Sequence, residues 1–315
     1  MINTAKALSC PVCESSAPFV DLAAREMMFG WREPFLYREC TRCHSLHIAE
    51  VPVDLGRFYP KDYYAFGAPR KAQSSVPWLR RAMAAWLVRS PDPLAAALVR
   101  SKVEKYPFFS WARLGRVGPG DAILDVGCGS GSHLERMRRW GFQKLYGVDP
   151  YTTNERDEPG LQILRMELAE VTGSFALIML HHVLEHVADP AATLMLVRER
   201  LQVGGRALVR LPVAGSPLHR EYGADWFNLD APRHLVIPSV EGMGHLARRA
   251  GLRLVHTSFD TTDTAYWMSD YYRRDVPMKQ AALPEESIRK RLRAVANSAN
   301  RRGEGDQGIF VLERI

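Results

Sequence analysis

Four cysteines near the start of the chain have the type and spacing of metal ligands. Cys10 and Cys13 form one C-x2-C pair, and Cys40 and Cys43 form a second pair after 26 intervening residues. Four thiolates complete the tetrahedral coordination of Zn²⁺ and leave no open position, so the pattern predicts a structural zinc site and not a redox centre. The interval exceeds the roughly 15–20 residues of a zinc ribbon, which predicts an inserted loop. The neighbouring His44 is not needed as a ligand.

A glycine-rich stretch, LDVGCGSG over Leu124–Gly131, is the second chemical pattern. It joins an apolar strand to a helix, and its glycines let backbone N–H groups approach a ligand because they lack a Cβ atom. Ser132 stands where the dinucleotide fingerprint needs its third glycine, and the G-K-[ST] of a phosphate loop is absent. The loop is therefore not built for a pyrophosphate. Cys128 within it is interpreted as a small residue that fits, with a nucleophilic or redox thiol as the alternative.

An alternation of strands and helices that begins at Asp121 must position these residues. The predicted strands are AILDVG, LYGVD, QILRM, FALIML, RALVRLPV, LRLVHTSF and GIFVLERI. The predicted helices between them are SHLERMRRWG, PAATLMLVRERLQVGG and VEGMGHLARRAG. Such alternation predicts a parallel sheet with helices on both faces. Ligands of open α/β sheets lie at the carboxyl ends of the strands, where FALIML is followed by a pair of histidines.

The glycine loop and Asp149, which ends the strand LYGVD, resemble the first motifs of class I S-adenosylmethionine-dependent methyltransferases. The resemblance implies an α/β, Rossmann-like sheet that is mostly parallel, with an antiparallel last strand. It also implies the residues that contact the cofactor. These are Gly127, Gly129 and Gly131 around the methionine part, Asp125 at the loop and amino group, Asp149 at both ribose hydroxyls, Glu167 at the adenine amino group with Glu170 as a second candidate, and His181.

The segment FALIMLHHVLEHVADP resembles the hvLEHv.dP segment of methyltransferases that act on small metabolites and glycans, with Phe175-Ala176 in place of Phe-Asp. Three interpretations stay open. His182 or His186 is a general base with a near-neutral pKa. Alternatively, His182, Glu185 and His186 bind a divalent metal, as E-x-x-E-H does in some ubiquinone-pathway and small-RNA methyltransferases, although a histidine in the first position disfavours Mg²⁺. In the third interpretation, Glu185 and His186 cap and pack the following helix.

Two segments after the fifth strand, Asp225–Phe227 and Ala231–Leu235, resemble the W…PRHL stretch on the substrate side of the same family. The resemblance implies that Trp226 and His234 are candidates for the acceptor site, with ordinary core packing as the alternative for Trp226. We expect His234, next to Arg233, to be able to bind an anionic acceptor such as a sugar nucleotide phosphate through charge-assisted hydrogen bonds.

The net charge of +7 is concentrated in residues 71–120, which hold nine basic and two acidic residues, whereas the segments on either side are neutral. Residues 74–89 are predicted to form an amphipathic helix with a serine N-cap and a proline in its first turn, followed by a second helix over about 94–105. Three interpretations of the first helix stay open. It packs on the catalytic domain with its arginines solvated, it lies on an anionic membrane surface, or it contacts an anionic acceptor or nucleic acid.

The composition is that of a globular protein, with 46% hydrophobic and 24% charged residues in 315 positions. No window approaches the roughly 18 uncharged apolar residues of a membrane-spanning helix, and the start lacks a secretory signal, so a cytoplasmic location is expected. Three parts are predicted: a four-Cys zinc-binding module with a Tyr-rich linker over 1–70, a basic helical segment over 71–120, and the methyltransferase domain over 121–315.

The four-Cys module followed by FYPKDYY resembles a bacterial subgroup of these methyltransferases in sugar and polysaccharide pathways. The prediction is therefore an S-adenosylmethionine-dependent enzyme that O-methylates a glycan, a sugar nucleotide or another small metabolite, with His182, His186 and His234 as catalytic candidates. One alternative is an RNA methyltransferase that uses the cysteine module and the basic segment. It is disfavoured because residues 1–70 are neutral and no N/D-P-P-Y/F motif follows strand four. A second alternative is a non-catalytic protein that binds the cofactor.

Overall fold

The computed structural model describes residues 9–59, 78–101 and 106–315, without the side chains of Ala96 and Arg100. The predicted serine N-cap, the Tyr-rich linker beyond Tyr59 and the end of the second predicted helix lie outside the described residues. None of the described helices is both long and apolar enough to cross a lipid bilayer.

The secondary structure consists of strands and helices that alternate through the second half of the chain. The strands are β1 (Phe19–Arg25), β2 (Pro34–Cys40), β3 (Leu46–Ile48), β4 (Ala122–Val126), β5 (Lys144–Val148), β6 (Arg156–Glu158), β7 (Leu161–Leu164), β8 (Phe175–His181), β9 (Leu201–Pro212), β10 (Val236–Ile237), β11 (Leu252–Phe259) and β12 (Gln307–Arg314). The α-helices are α1 (Trp78–Arg89), α2 (Pro93–Ser101), α3 (Pro107–Leu114), α4 (Ser132–Arg138), α5 (Pro190–Arg200), α6 (Pro217–Tyr222), α7 (Val240–Arg249), α8 (Asp263–Arg273) and α9 (Glu286–Arg302).

The larger sheet has eight strands in the order β11-β12-β9-β8-β4-β5-β7-β6. The five strands from β9 to β7 are parallel, whereas β12 is antiparallel to both of its neighbours. Strands such as β4 and β8 are apolar along almost their whole length because helices cover both faces of a parallel sheet. This arrangement confirms the predicted fold class, and it brings the carboxyl ends of β4, β5 and β8 to one edge.

The smaller sheet has four antiparallel strands in the order β1-β2-β3-β10. Its last strand comes from the segment after APRHL, so the cysteine-bearing part of the chain completes its sheet with a strand almost 200 positions away. The two parts also share one buried apolar cluster that includes Tyr37, Leu46, Leu235 and Ile237. The phenolic hydroxyl of Tyr37 donates to the carbonyl of His234 at 2.8 Å. The division of the chain at residue 70 stays a prediction.

Two regions differ from the expectations or extend them. Helix α5 ends at Arg200 and β9 begins at once, whereas the sequence predicted helix up to the two glycines. Gly204 has a φ of +74°, and the pairing of β8 with β9 shifts register between Leu201 and Arg206, so the glycines form an irregularity inside a strand. Helices α8 and α9 were not predicted; they lie between β11 and β12, the last two strands of the sheet.

Candidate functional site

The loop after β4 turns sharply at the edge of the larger sheet. Gly127 and Gly131 have φ values of +66° and +72°, which side chains rarely adopt. A Cβ atom on Gly127 would lie 2.5 Å from Val183 Cγ2, and one on Gly131 would lie 2.1 Å from Ile163 Cδ1. The amide of Gly127 donates to the carbonyl of Val148 at 2.8 Å, which ties the loop to the end of β5. Both glycines are therefore required by the geometry of the loop itself.

Two carboxylates stand beside this loop in different environments. Asp125 is buried, and its oxygen Oδ2 has no hydrogen-bond partner within the described residues. Burial, together with the charge of Asp149, raises the pKa of Asp125 to about 8. Asp149 accepts hydrogen bonds from the amides of Gly129 at 3.0 Å and Tyr151 at 2.8 Å, one on each oxygen. Each oxygen of Asp149 keeps a lone pair for a further donor. The orphaned oxygen of Asp125 fits an ammonium group, and Asp149 fits a pair of hydroxyls.

His182 follows β8 and is fixed by contacts on both ring nitrogens. Its backbone has a positive φ of +54°, uncommon outside glycine. Its Nδ1 lies 3.0 Å from Glu185 Oε1, while its Nε2 contacts the guanidinium of Arg210 and lies 3.0 Å from Gln307 Nε2. Burial raises the pKa of Glu185, but the hydrogen bond from His182 and the nearby charges of His182, His186 and His234 together outweigh this effect and hold the pKa at about 2. Glu185 is therefore an ionised carboxylate in the interior.

Two further histidines lie beside Glu185. His186 ends a short 3₁₀ turn, Leu184–His186, and the ring of His234 stands 4.8 Å from its ring. Burial, followed by the nearby His186, lowers the pKa of His234 to about 4, which keeps this imidazole neutral at physiological pH. Each of Glu185, His186 and His234 has one potential ligand atom, and these three atoms lie within 4.8 Å of one another. The structure thus brings His234 into the group, while His182 contacts Glu185 from outside it.

The structure corrects two expectations about the acceptor, one from the PRHL segment and one from the segment Asp225–Phe227. Arg233 is fully buried and forms ion pairs with Glu26 at 3.0 Å and Asp230 at 2.6 Å, so it is not available to an anionic acceptor. Trp226 is also fully buried, with its indole N–H donating to Asp306 at 2.8 Å, and it belongs to the core. Both corrections have the same physical reason, which is that partners far away in the sequence complete the burial of these side chains. The partner of Arg233 is Glu26 in the N-terminal part, and the partner of Trp226 is Asp306, just before β12.

The cysteine cluster is compact and its two halves are alike. In each half, the carbonyl of the first cysteine accepts a hydrogen bond from the amide four residues later. Glu14 donates to Cys10 at 2.9 Å, and His44 donates to Cys40 at 2.8 Å. Sulfurs from different pairs approach each other to 3.7 Å and 3.8 Å. Four sulfurs at about 2.3 Å from a tetrahedral zinc ion would be about 3.8 Å apart. The four sulfurs that share this arrangement belong to Cys10, Cys13, Cys40 and Cys43.

Comparison with known families decides the class of protein. The model of a methyltransferase-domain family matches residues 93–257, slightly more than half of the chain. The chain belongs to this methyltransferase family. Together with the fold, the match confirms the predicted class I S-adenosylmethionine-dependent methyltransferase. The residues present fit this cofactor, because Asp125 has a buried oxygen without a partner in the described residues and because Gly127 and Gly131 leave room only for backbone.

Individual relatives of the methyltransferase are distant. The ubiquinone biosynthesis O-methyltransferase of Caulobacter sp. (strain K31) is 35% identical over 102 residues, 29% of this chain and 40% of that protein. The tRNA U34 carboxymethyltransferase of Pseudomonas syringae pv. syringae (strain B728a) is 26% identical over 175 residues, 48% of this chain and 55% of that protein. The chain thus spans about half the length of these relatives or less.

The methyltransferase is also similar to solved structures. A complex between the Haloferax volcanii Trm112 methyltransferase activator and a methyltransferase contains a chain that matches with a TM-score of 0.47 and 17% identity. This match covers 72% of the present chain and 97% of that chain.

The remaining predicted cofactor contacts of the methyltransferase lie at the same edge of the sheet. Glu167 is exposed just after β7, whereas Glu170 accepts a hydrogen bond from the amide of Glu167 at 2.8 Å and so closes a turn. The ring of His181 lies 4.1 Å from that of Trp111 and 5.0 Å from that of His133. Burial, then the nearby His133, holds the pKa of His181 well below its usual range. The roles of these residues toward the cofactor stay predictions.

Several residues of this region had not been singled out as site residues. Trp111 lies in the basic segment and comes from α3, while His133 lies in the first turn of α4, directly after the glycine loop. Arg210 and Gln307, the two partners of His182, come from β9 and β12. Only His133 carried a local signal, its position in the first turn after the loop. The other three reach the site through the strand order and helix packing, which no short motif records.

Proposed function

We propose that this methyltransferase transfers a methyl group from S-adenosylmethionine to a hydroxyl oxygen of a glycan, a sugar nucleotide or another small metabolite. The observation that carries the proposal is the group of Glu185 and three histidines, His182, His186 and His234, at the carboxyl end of β8. This group is next to the glycine loop, because Val183 packs on Gly127. A hydroxyl acceptor must lose its proton as the methyl group is transferred, and an imidazole can accept that proton.

The cofactor site follows from residues already described. When bound, S-adenosylmethionine supplies an electrophilic methyl group on a sulfonium centre. We assign Asp125 to its ammonium group, Asp149 to its ribose hydroxyls and Glu167 to its adenine amino group, with His181 as a further contact. Gly127, Gly129 and Gly131 surround its methionine part. Asp125 and Asp149 orient the cofactor, and orientation of the two reactants supplies much of the catalysis in such transfers.

We further propose that the four cysteines hold one structural Zn²⁺ ion. Support comes from the two similar turns and from sulfur separations of 3.7 Å and 3.8 Å, which suit tetrahedral coordination. All four positions of the ion are filled by protein, so it takes no part in methyl transfer. Its role is to stabilise the loops next to β2 and β3, which lead into the smaller sheet.

Tritium transfer tests the proposed reaction. Protein with labelled S-adenosylmethionine is incubated with a metabolite and glycan extract and, in parallel, with total RNA, and labelled products are identified by mass. We expect label in an O-methylated small molecule. His182→Ala or His186→Ala should lower turnover about 10²–10⁴-fold with little change in cofactor affinity. Label in RNA would instead support the RNA alternative, to which the tRNA-modifying relative lends weight. An N- or C-methylated product would contradict the proposal.

We propose, in addition, that α1 contacts an anionic membrane surface. Ala84, Leu87 and Val88 are buried, so one face of α1 packs on the protein. Leu79, Met83 and Trp86, spaced for another face, are 62%, 42% and 37% exposed. Exposed arginines accompany them, and residues 71–120, which include α1, carry the whole net charge of the chain. An apolar face with basic flanks is typical of helices that lie in the plane of a membrane interface.

Flotation with anionic lipid vesicles tests this contact. We expect the protein to float at low salt, less at high salt because salt screens the attraction, and much less after Arg80→Glu with Arg81→Glu. The matched control is Arg301→Glu with Arg302→Glu, an exposed pair at the end of α9, which should leave flotation unchanged. Failure of the unmodified protein to float at low salt would remove the membrane contact from the proposal.

A further inference from the structure

Glu26 is a buried carboxylate in the loop between β1 and β2. Its two oxygens accept hydrogen bonds from the backbone amides of residues 28–31 at 3.0–3.2 Å. Oε1 also accepts a hydrogen bond from the guanidinium of Arg233 at 3.0 Å. Charge-assisted hydrogen bonds such as these are roughly twice as strong as neutral ones. Glu26 therefore fixes its own loop and Arg233 relative to each other.

Arg233 connects this carboxylate to the candidate site. Its fully buried guanidinium donates to both oxygens of Asp230 at 2.6–3.0 Å and lies 5.4 Å from the centre of the Phe29 ring. A buried charge that loses one of its partners is strongly destabilising. The carboxylates of Glu26 and Asp230 therefore hold Arg233, and the backbone that carries it, in one arrangement.

The backbone carbonyl of Arg233 contacts the ring of His186. Its oxygen lies 3.0 Å from Nδ1 of His186, and the hydroxyl of Tyr59 donates to the same oxygen at 3.4 Å. A carbonyl oxygen only accepts, so Nδ1 carries the ring hydrogen and Nε2 keeps its lone pair. The position of one carbonyl group thus selects one of the two tautomers of this imidazole.

The other two histidines of the group are held differently. Nε2 of His182 faces the guanidinium of Arg210, which only donates, so the lone pair of that nitrogen is already in use. His234 has the same tautomer as His186, because its Nδ1 lies 2.9 Å from the carbonyl oxygen of Asn228, but His234 is buried. His186 is only partly buried. Among the three, it is the histidine that combines a bare Nε2 with a ring open to an acceptor.

We propose that Glu26 and Arg233 are positioning residues for methyl transfer, and that they hold His186 in the tautomer whose Nε2 accepts the proton of the hydroxyl acceptor. The contacts run from the carboxylate of Glu26 through the guanidinium and the carbonyl of Arg233 to Nδ1 of His186. The hydroxyl proton moves to Nε2, and the electron pair of its O–H bond stays on the oxygen, which is methylated as the methyl–sulfur bond breaks toward sulfur. This proton transfer rests on the proposed O-methyl transfer, whereas the tautomer does not.

The proposal makes the N-terminal part of the chain a component of the catalytic site. Besides Glu26, two tyrosines from this part hold the same segment. The hydroxyl of Tyr37 donates to the carbonyl of His234 at 2.8 Å, and that of Tyr59 donates to the carbonyl of Arg233. The smaller sheet and the loop that follows β1 therefore do more than carry the cysteine cluster, because they orient a ring at the carboxyl end of β8.

Nitrogen NMR measures the tautomer of His186 without acceptor or cofactor. Full-length protein is labelled with an NMR-active nitrogen isotope in its histidines and is observed at mildly alkaline pH, where an ordinary imidazole is neutral. Protonated and bare ring nitrogens then have well separated resonances, and comparison with His186→Gln identifies the signals. We expect a hydrogen on Nδ1 and a bare Nε2. The opposite tautomer in the unmodified protein would overturn the proposal. Because no methyl transfer is measured, this outcome is independent of the proposed reaction.

Variants test whether Glu26 sets this tautomer. Glu26→Gln keeps the volume of the side chain and removes its charge, so we expect the two nitrogen resonances of His186 to move toward each other as the ring exchanges between tautomers. Turnover of the acceptor found by tritium transfer should fall about tenfold or more, with binding of S-adenosylhomocysteine unchanged, since loss of a group that fixes the tautomer of a histidine base can cost about 10⁴-fold. Arg233→Lys serves if Glu26→Gln fails to melt cooperatively.

The matched control is Glu313→Gln, which breaks another buried ion pair, with Arg206 at 2.7 Å near the end of β12. It should lower stability and leave the resonances of His186 and the turnover unchanged. Unchanged resonances of His186 in folded Glu26→Gln and Arg233→Lys would contradict the positioning role. An altered tautomer with full turnover would contradict the role of His186 in proton transfer.

Discussion

Asp149→Ala is expected to remove most of the thermal stabilisation that S-adenosylhomocysteine gives to the protein. Two hydroxyl hydrogen bonds to a carboxylate contribute about 1.5–3 kcal/mol each, so their loss weakens binding by roughly a hundredfold or more. At a ligand concentration of about 100 Kd, stabilisation of the unmodified protein is about 2.7 kcal/mol, and a hundredfold weaker affinity reduces it to about 0.4 kcal/mol. Melting curves with and without S-adenosylhomocysteine measure both values.

The controls separate binding from folding. Asp149 also accepts hydrogen bonds from the amides of Gly129 and Tyr151, so its removal loosens the glycine loop as well. Asp149→Asn keeps one acceptor oxygen for these amides but lacks the negative charge. Asp157→Ala, at an exposed carboxylate of β6, should leave the ligand effect unchanged. Full stabilisation of Asp149→Ala by S-adenosylhomocysteine, or stabilisation of the unmodified protein by NAD alone, would contradict the assignment.

Cys40→Ser is expected to lower zinc content and to destabilise the N-terminal part of the protein. Structural zinc sites in small peptides contribute apparent binding free energies of about 10–16 kcal/mol, which are coupled to folding. The structure extends this effect beyond residue 70. Strand β10 pairs with β3, and the hydroxyl of Ser239 donates to the carbonyl of Cys43. Hydrogen exchange should therefore become faster both in residues 9–59 and around 234–239.

Metal analysis and thiol counting complete the zinc experiment. The unmodified protein should copurify with one equivalent of zinc in the cysteine cluster, and Cys40→Ser should lose most of it. Cys128→Ser changes the fifth cysteine, which lies in the glycine loop and outside the cluster, and should keep the zinc. Metal-free protein that has four alkylatable thiols and the stability of the unmodified chain would refute the proposal.

Local patterns in the sequence predicted much of the fold. Alternating apolar strands and helices after Asp121 predicted the parallel sheet, because a buried parallel strand is apolar on both faces. The G-x-G-x-G spacing predicted a tight loop, because positive φ values favour glycine. The local patterns did not predict α8 and α9, although Asp263–Arg273 and Glu286–Arg302 are regular helices. Helix α9 is mostly polar, and neither helix follows an obvious motif, so their positions depend on packing against each other and against the last strands.

What the sequence by itself determined about this protein is its class, and it supplied the candidate residues for its chemistry: the glycine loop, the two acids, the cysteine pairs and the histidines. Only the tertiary structure decided how those residues are grouped. Arg233 pairs with Glu26 across 207 positions, and His234 takes the place beside Glu185 that was expected of His182. The physical reason is that short spacing specifies neighbours within one turn or strand. Distant partners are determined by the apolar faces that are buried against each other. In this protein, the smaller sheet packs over the PRHL segment.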